Sequence, residues 1–122
     1  MPTVLVIDDD RANREAFGKI LTRAAFDVQY AENGLDALDR IAAESYDAIV
    51  CDISMPMLSG IGFFEQLEEI SPEMAGRVVF VTAYADDPRV MTFLKQTGRP
   101  VMEKPIELAS LVEAVRQILT PG

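Results

Sequence analysis

Short apolar runs, separated by longer amphipathic stretches, occur five times along the chain. Three of these runs are apolar almost without interruption. Strands of that kind are buried on both faces, which is typical of a parallel sheet covered by helices. The runs are Val4–Ile7, Val28–Ala31, Ala48–Cys51, Val78–Val81 and Pro100–Glu103. The pattern therefore predicts five β-strands that alternate with helices in an α/β fold.

The stretches between the runs carry apolar side chains at three- and four-residue steps, which predicts helices with one buried face. Asn33 is a suitable N-cap for the second helix, and Asp87-Pro88 begins a fourth that stops near Gly98. A loop with Met55-Pro56-Met57 precedes the third helix, which is predicted from Ile61 to about Ile70. We expect a doubly wound parallel sheet of order 2-1-3-4-5 with helices on both faces, and ligands at the carboxyl ends of strands 1 and 3.

Composition narrows the class of function. A chain of 122 residues with 49% hydrophobic residues suits a single domain over residues 1–122. A net charge of −9 argues against direct binding of nucleic acid or anionic lipid and favours divalent cations and basic partners. The chain has no histidine, so histidine-dependent hydrolysis and histidine-ligated zinc are excluded.

Cys51 is the single cysteine, and its place inside an apolar strand predicts a small core residue. One cysteine cannot form an internal disulfide, which favours a reduced, cytoplasmic setting. No apolar run approaches the length needed to cross a membrane, and the N-terminus lacks the basic region of a signal peptide. We expect a monomer or weak dimer with no membrane insertion.

Polar side chains follow four of the predicted strands at their carboxyl ends. Asp8 and Asp9 follow the first strand, Asp52 the third, Thr82 the fourth and Lys104 the fifth. In the proposed order these strands are neighbours, so the five side chains can converge on one pocket. Three nearby carboxylates repel each other, and one lysine cannot offset that repulsion. A divalent cation can, and hard oxygen ligands suit Mg²⁺. A carboxylate beside a metal and an ammonium group is also a possible nucleophile toward phosphorus.

Four blocks of sequence resemble the motif blocks of the receiver domains of two-component response regulators. The blocks are Val4-Leu5-Val6-Ile7-Asp8-Asp9-Asp10, Cys51-Asp52-Ile53-Ser54-Met55-Pro56, Val81-Thr82-Ala83 and Glu103-Lys104-Pro105. Their order and spacing match over essentially the whole chain. The stretch from Phe93 to Pro105 is also similar to receivers fused to the C-terminus of hybrid histidine kinases.

This resemblance implies a phospho-acceptor switch in a phosphorelay. By analogy Asp52 is the phospho-acceptor, and its phosphoryl donor is the phosphohistidine of a histidine kinase or of a histidine phosphotransfer protein. Mg²⁺ would be bound by Asp9 directly, by Asp8 through water, by Asp52 and by the backbone carbonyl of Ser54. The reaction would be self-catalysed phosphorylation and dephosphorylation, not turnover of a separate substrate.

The resemblance also implies that Lys104 contacts the phosphoryl group, that Thr82 is the switch hydroxyl, and that the Lys104–Pro105 peptide bond is cis. One position departs from the family pattern. Many receivers carry Tyr or Phe three residues before the lysine, whereas this chain has Val101. The aromatic rotamer switch of those receivers is therefore not expected here, and Tyr84 is the nearest aromatic that could replace it.

Three alternatives remain open. The run Asp8-Asp9-Asp10 could simply cap the first helix, because acidic residues favour helix N-termini. A Mg²⁺-dependent phosphatase of the dehalogenase type would want a second acid two residues after the nucleophile, where Ser54 stands. A phosphorylation-silent pseudo-receiver that acts as a protein-binding module would keep the fold and lose the reaction.

Overall fold

The sheet has the predicted strands and the predicted order. A computed structural model describes residues 1–54 and 59–120, so the predicted loop through Met55-Pro56-Met57 lies outside the described residues. The strands are β1 (Thr3–Ile7), β2 (Asp27–Ala31), β3 (Ala48–Asp52), β4 (Val78–Thr82) and β5 (Val101–Glu103). All pair in parallel in the order β2-β1-β3-β4-β5, which confirms the doubly wound α/β prediction.

Side chains alternate between the two faces of the sheet. Val4 and Val6 pack into one core, whereas Leu5 and Ile7 pack into the other. All residues of β3 and β4 are buried, and their apolar side chains enter one or the other of the two cores, which explains the apolar sequences that precede Asp52 and Thr82. The edge strand β5 is different, since Val101 is 41% exposed.

Helices cover both faces. They are α1 (Arg11–Arg23), α2 (Gly34–Ala43), α3 (Gly60–Ile70), α4 (Pro72–Ala75), α5 (Pro88–Thr97) and α6 (Leu108–Leu119). Helices α1 and α6 pack on the face of Val4, and the other four pack on the face of Leu5. The single turn α4 was not predicted. Ser71 caps it and Pro72 occupies its first position, a local start signal without the apolar periodicity of a longer helix. No helix within residues 1–54 and 59–120 is long and apolar enough to span a membrane.

Capping residues fix the helix ends close to the site. The Asp10 carboxylate accepts hydrogen bonds from the amides of Ala12 and Asn13 and is the N-cap of α1. The predicted caps Asn33 and Asp87 are confirmed, and Gly98 ends α5 with a left-handed φ of 67°. Capping therefore explains Asp10 alone, and it leaves Asp8 and Asp9 available for another role.

Candidate functional site

Three carboxylates meet at the carboxyl edge of the sheet. Asp8 follows β1, and Asp52 is the last residue of β3. One carboxylate oxygen from each of Asp8, Asp9 and Asp52 lies within 4.8 Å of the others. Asp8 and Asp52 are buried, whereas Asp9 is exposed. The predicted convergence is confirmed, because β1 and β3 are hydrogen-bonded neighbours and place these acids side by side.

Lys104 supplies a positive charge to this cluster. Its Nζ donates a hydrogen bond to Asp52 Oδ2 at 3.2 Å and lies 3.8 Å from Asp8 Oδ2. Among the described residues, no other cationic side chain is within ion-pair distance of these two acids. The predicted cis bond between Lys104 and Pro105 is confirmed. The lysine therefore balances one of three negative charges, which leaves a net negative site.

Burial makes the ionisation of Asp8 and of Asp52 less favourable than it is in water. Burial raises the pKa of the Asp52 carboxyl, although the Lys104 ammonium and the Ser54 amide oppose that rise. Burial also raises the pKa of Asp8, and the negative charge of Asp52 adds to the effect. Both shifts mean that the folded protein holds its site protons more tightly than the unfolded chain does. A cation bound among these oxygens would relieve that cost.

The Asp52 carboxylate is held on both sides. While Oδ2 accepts from Lys104, Oδ1 accepts a hydrogen bond from the amide of Ser54 at 3.2 Å. The neighbouring Cys51 is fully buried in the core, as predicted, and its thiol donates to the Asp52 carbonyl. Burial raises the pKa of that thiol well above its usual value, so Cys51 stays protonated.

Two residues of α1 that the sequence analysis did not select also contact Asp8. The Asn13 side-chain amide donates to Asp8 Oδ2 at 3.4 Å, and Arg14 Nη1 donates to the Asp8 backbone carbonyl at 2.7 Å. The amide of Asp10 donates to Asp8 Oδ1 at 2.9 Å. A polar residue in the first turns of a helix that directly follows an acidic strand end is the signal that would have found Asn13. The contact of Arg14 with a backbone carbonyl has no such signal.

Thr82 connects the site to the next loop. Its hydroxyl oxygen accepts a hydrogen bond from the amide of Tyr84 at 2.9 Å, and its carbonyl accepts one from the amide of Lys104 at 2.8 Å. Thr82 is fully buried, whereas Tyr84 is half exposed. The residue is thus anchored to both chain segments that flank the cluster.

Two adjoining cavities open at this edge. One of about 260 Å³ is lined by the three acids and by Asp10, Asn13, Ser54, Tyr84 and Lys104. The other, of about 300 Å³, is lined by Thr82 and shares Ala83 and Lys104 with the first. All the side chains predicted for the site therefore lie at one edge of the sheet. The donor set consists of carboxylate oxygens, which are the ligands that Mg²⁺ prefers and zinc sites rarely use alone.

Comparison with known proteins agrees with this geometry. The family model described as the response regulator receiver domain matches residues 4–116. A response regulator named MprA from Mycobacterium avium is 32% identical over 116 residues, covering 95% of this chain and 50% of that protein. The MprA of Mycobacterium tuberculosis gives the same values. The chain thus spans about half the length of these curated relatives.

Solved structures show the same fold. A CheY-like receiver domain protein from Methanospirillum hungatei has a TM-score of 0.89 and 25% identity, with 98% of this chain and 94% of that chain covered. A Francisella response-regulator receiver domain has a TM-score of 0.86 and 27% identity, with 98% and 97% covered. Matched along nearly its whole length in sequence and in backbone, the chain belongs to the response-regulator receiver domain family.

Proposed function

We propose that this receiver accepts a phosphoryl group on Asp52 from the phosphohistidine of a histidine kinase or a histidine phosphotransfer protein, in a Mg²⁺-dependent reaction that it catalyses itself. Receiver domains are signalling domains of two-component systems, and response regulators receive phosphoryl groups from histidine kinases. The observation that carries the proposal is the meeting of Asp8, Asp9 and Asp52 within 4.8 Å, with the Lys104 ammonium 3.2 Å from Asp52.

Asp52 is the best nucleophile of the three carboxylates. Asp8 is 1% exposed, bonds to the Asp10 amide and to Asn13, and lies farther than Asp52 from the Lys104 ammonium, at 3.8 Å. Asp9 is exposed, and it fits the role of a direct metal ligand. Asp52 lines the cavity, is 4% exposed and lies next to the ammonium group that would face an incoming phosphoryl group.

The transfer is a displacement at phosphorus. A carboxylate oxygen of Asp52 forms the new bond to phosphorus as the bond between phosphorus and the donor nitrogen breaks, and the electron pair stays on that nitrogen. Lys104 neutralises charge on the phosphoryl oxygens, and the Thr82 hydroxyl donates a hydrogen bond to the product. Because residues 1–122 contain no histidine, the donor histidine lies outside them. Water later attacks the phosphorus of the acyl phosphate, the bond between phosphorus and the Asp52 oxygen breaks, and inorganic phosphate leaves the free carboxylate.

Mg²⁺ fits the donor set of the site. Asp9, Asp52 and the Ser54 carbonyl would hold it, with Asp8 acting through water. When bound, the ion supplies positive charge beside the transferring phosphoryl group. The remaining steps belong to residues of this chain, which orient Asp52 and hold the product.

The test is labelling with acetyl phosphate and Mg²⁺, followed by intact-mass measurement. We expect one phosphoryl group on the wild type, none on Asp52→Asn, and none when EDTA replaces Mg²⁺. Asp10→Asn is the matched control, because it removes an acid that lines the same cavity but is not one of the three clustered acids, and Asn caps a helix as well as Asp does. Persistent labelling of folded Asp52→Asn would show that the acceptor is another residue. A folded wild type that takes no label from any phosphodonor would favour the silent pseudo-receiver.

A further inference from the structure

Arg14 makes a contact at the site that the reaction itself does not require. It lies in α1 and is half buried, and its Nη1 donates to the backbone carbonyl of Asp8 at 2.7 Å. Within the described part of the chain, no carboxylate lies within ion-pair distance of this guanidinium. In a chain of net charge −9, a cation directed to a neutral carbonyl points to a positional role.

The Asp8 carbonyl is where the β-ladder ends. The register pairs Ile7 with Ala31 on one side and with Cys51 on the other, and the amide of Asp8 still donates to the Ala31 carbonyl. The Asp8 carbonyl lies beyond these pairs, at a residue that is 1% exposed. A buried carbonyl without a donor is costly, so a charge-assisted bond from Arg14 holds this end of the strand in place.

The same carbonyl belongs to the peptide group that joins Asp8 to Asp9. Because a peptide group is planar, fixing its oxygen restrains the backbone of both acids. The Asp8 side chain is held separately by Asn13 and by the Asp10 amide. The first turns of α1 therefore hold two like charges in position near Asp52, although these charges repel each other.

We propose that Arg14 is a positioning residue that pre-arranges Asp8 and Asp9 to bind the divalent cation. This inference rests on the proposed function of the same cluster. The inference predicts the direction in which Mg²⁺ affinity changes. The positive charge of Arg14 by itself repels a cation, so a variant that loses only that charge should bind Mg²⁺ slightly more tightly. A variant that loses the positioning contact should bind Mg²⁺ more weakly, despite the lost positive charge.

The experiment compares Arg14→Gln with Arg11→Gln by titrating Mg²⁺ at fixed ionic strength, using calorimetry and thermal unfolding. Arg11 lies on the same helix, is exposed and, among residues 1–54 and 59–120, forms an ion pair only with Glu15. Arg11→Gln therefore removes the same charge without changing a contact of Asp8. We expect Arg14→Gln to weaken Mg²⁺ binding about tenfold, the scale of losing an outer hydrogen bond at a metal site. Arg11→Gln should bind as tightly as the wild type or more so.

A second readout separates positioning from general stability. Labelling of Arg14→Gln by acetyl phosphate should be slow at limiting Mg²⁺ and should recover at saturating Mg²⁺, which a merely destabilised fold would not show. If Arg14→Gln fails to fold, Arg14→Lys keeps the charge with a shorter reach and should still bind Mg²⁺ more weakly than the wild type. Equal Mg²⁺ affinity of the folded Arg14 variant and its control would overturn the inference. Failure of the wild type to take label would instead count against Asp52 as acceptor, and the affinity ratio would still decide the role of Arg14.

Discussion

Replacing Asp52 with Asn should make the metal-free protein more stable, although it should abolish phosphorylation. Ordinary buried hydrogen-bonded residues behave in the opposite way, and their replacement costs stability. The reason for the reversal is the charge of the cluster. Asn keeps the size of the side chain but can accept only one of the two hydrogen bonds that the oxygens of Asp52 accept from Lys104 and from the Ser54 amide. The substitution therefore loses one hydrogen bond, worth about 1 kcal/mol, and removes one buried negative charge.

The magnitude follows from the distances. At 4.8 Å, the bound on the separations of the three oxygens, each like-charge pair costs about 3.5 kcal/mol at an effective dielectric of about 20. The attraction between the Lys104 ammonium and Asp52, 3.2 Å apart, stabilises the ionised carboxylate by about 5 kcal/mol at the same effective dielectric. Asp52 thus faces two repulsions and one attraction, and solvent screens the share of exposed Asp9. The net gain expected for Asp52→Asn is about 1 kcal/mol.

The assay is thermal unfolding in EDTA and again with Mg²⁺. For a domain of this size, about 1 kcal/mol raises the melting temperature by roughly 3–5 °C. Mg²⁺ should then stabilise the wild type by mass action, by about 1.4 kcal/mol at ten times its dissociation constant. It should stabilise Asp52→Asn much less. Asp10→Asn keeps its helix cap and should change neither the melting temperature in EDTA nor the stabilisation by Mg²⁺ appreciably. An unchanged or lower melting temperature of Asp52→Asn in EDTA would refute the argument from carboxylate repulsion.

Three further measurements test other parts of the structure. The pKa of Asp52 is raised by burial, so the folded state holds this proton more tightly than the unfolded chain. The Asp52 carboxyl should therefore stabilise the metal-free fold as the pH falls towards its raised pKa, so the stability advantage of Asp52→Asn over the wild type in EDTA should shrink as the pH is lowered from neutral. An advantage that grows as the pH falls would contradict this sign. Ala25 has a φ of 72°, so Ala25→Gly should raise the free energy of unfolding by about 1 kcal/mol, whereas Ala16→Gly on the exposed face of α1 should lower it by a similar amount. Structures with and without beryllofluoride should differ in the loop from Thr82 to Asp87, with Val101 in the same rotamer, because its branched Cβ restricts χ1; a rotamer change at Val101 with a stationary loop would contradict this.

The sheet and the cluster could be predicted because their signals are local and periodic. The apolar residues of β3 and β4 pack into both cores, and an uninterrupted apolar run in the sequence therefore indicates a strand that is buried on both faces. The order of the strands then follows from rules of chain connection, and that order is what brings Asp8 next to Asp52. The positions of five polar residues at strand ends were thus sufficient to predict that their side chains converge at one edge of the sheet.

The missed features depend on side-chain direction. The sequence does not distinguish Asp10, which caps α1, from Asp8 and Asp9, because all three are the same residue type in one run. Which acid points at the helix and which at the pocket depends on the backbone where the strand ends. Arg14 was missed for a related reason, since its partner is a backbone carbonyl that no pattern of residue types reveals. The short helix α4 lacks periodicity because one turn is too short to show any.

The two hydrogen bonds of Thr82 differ in what can change them. Its carbonyl accepts from the Lys104 amide through the main chain, and this bond stays when the side chain rotates. Its hydroxyl oxygen accepts from the Tyr84 amide, and this bond depends on χ1. A threonine side chain occupies a few separate staggered wells and not a continuous range. A rotation that turns the hydroxyl toward a phosphoryl group on Asp52 therefore either keeps the Tyr84 amide as its donor or loses it entirely. We expect the loop after β4 to exchange between two positions, with no graded series of intermediates.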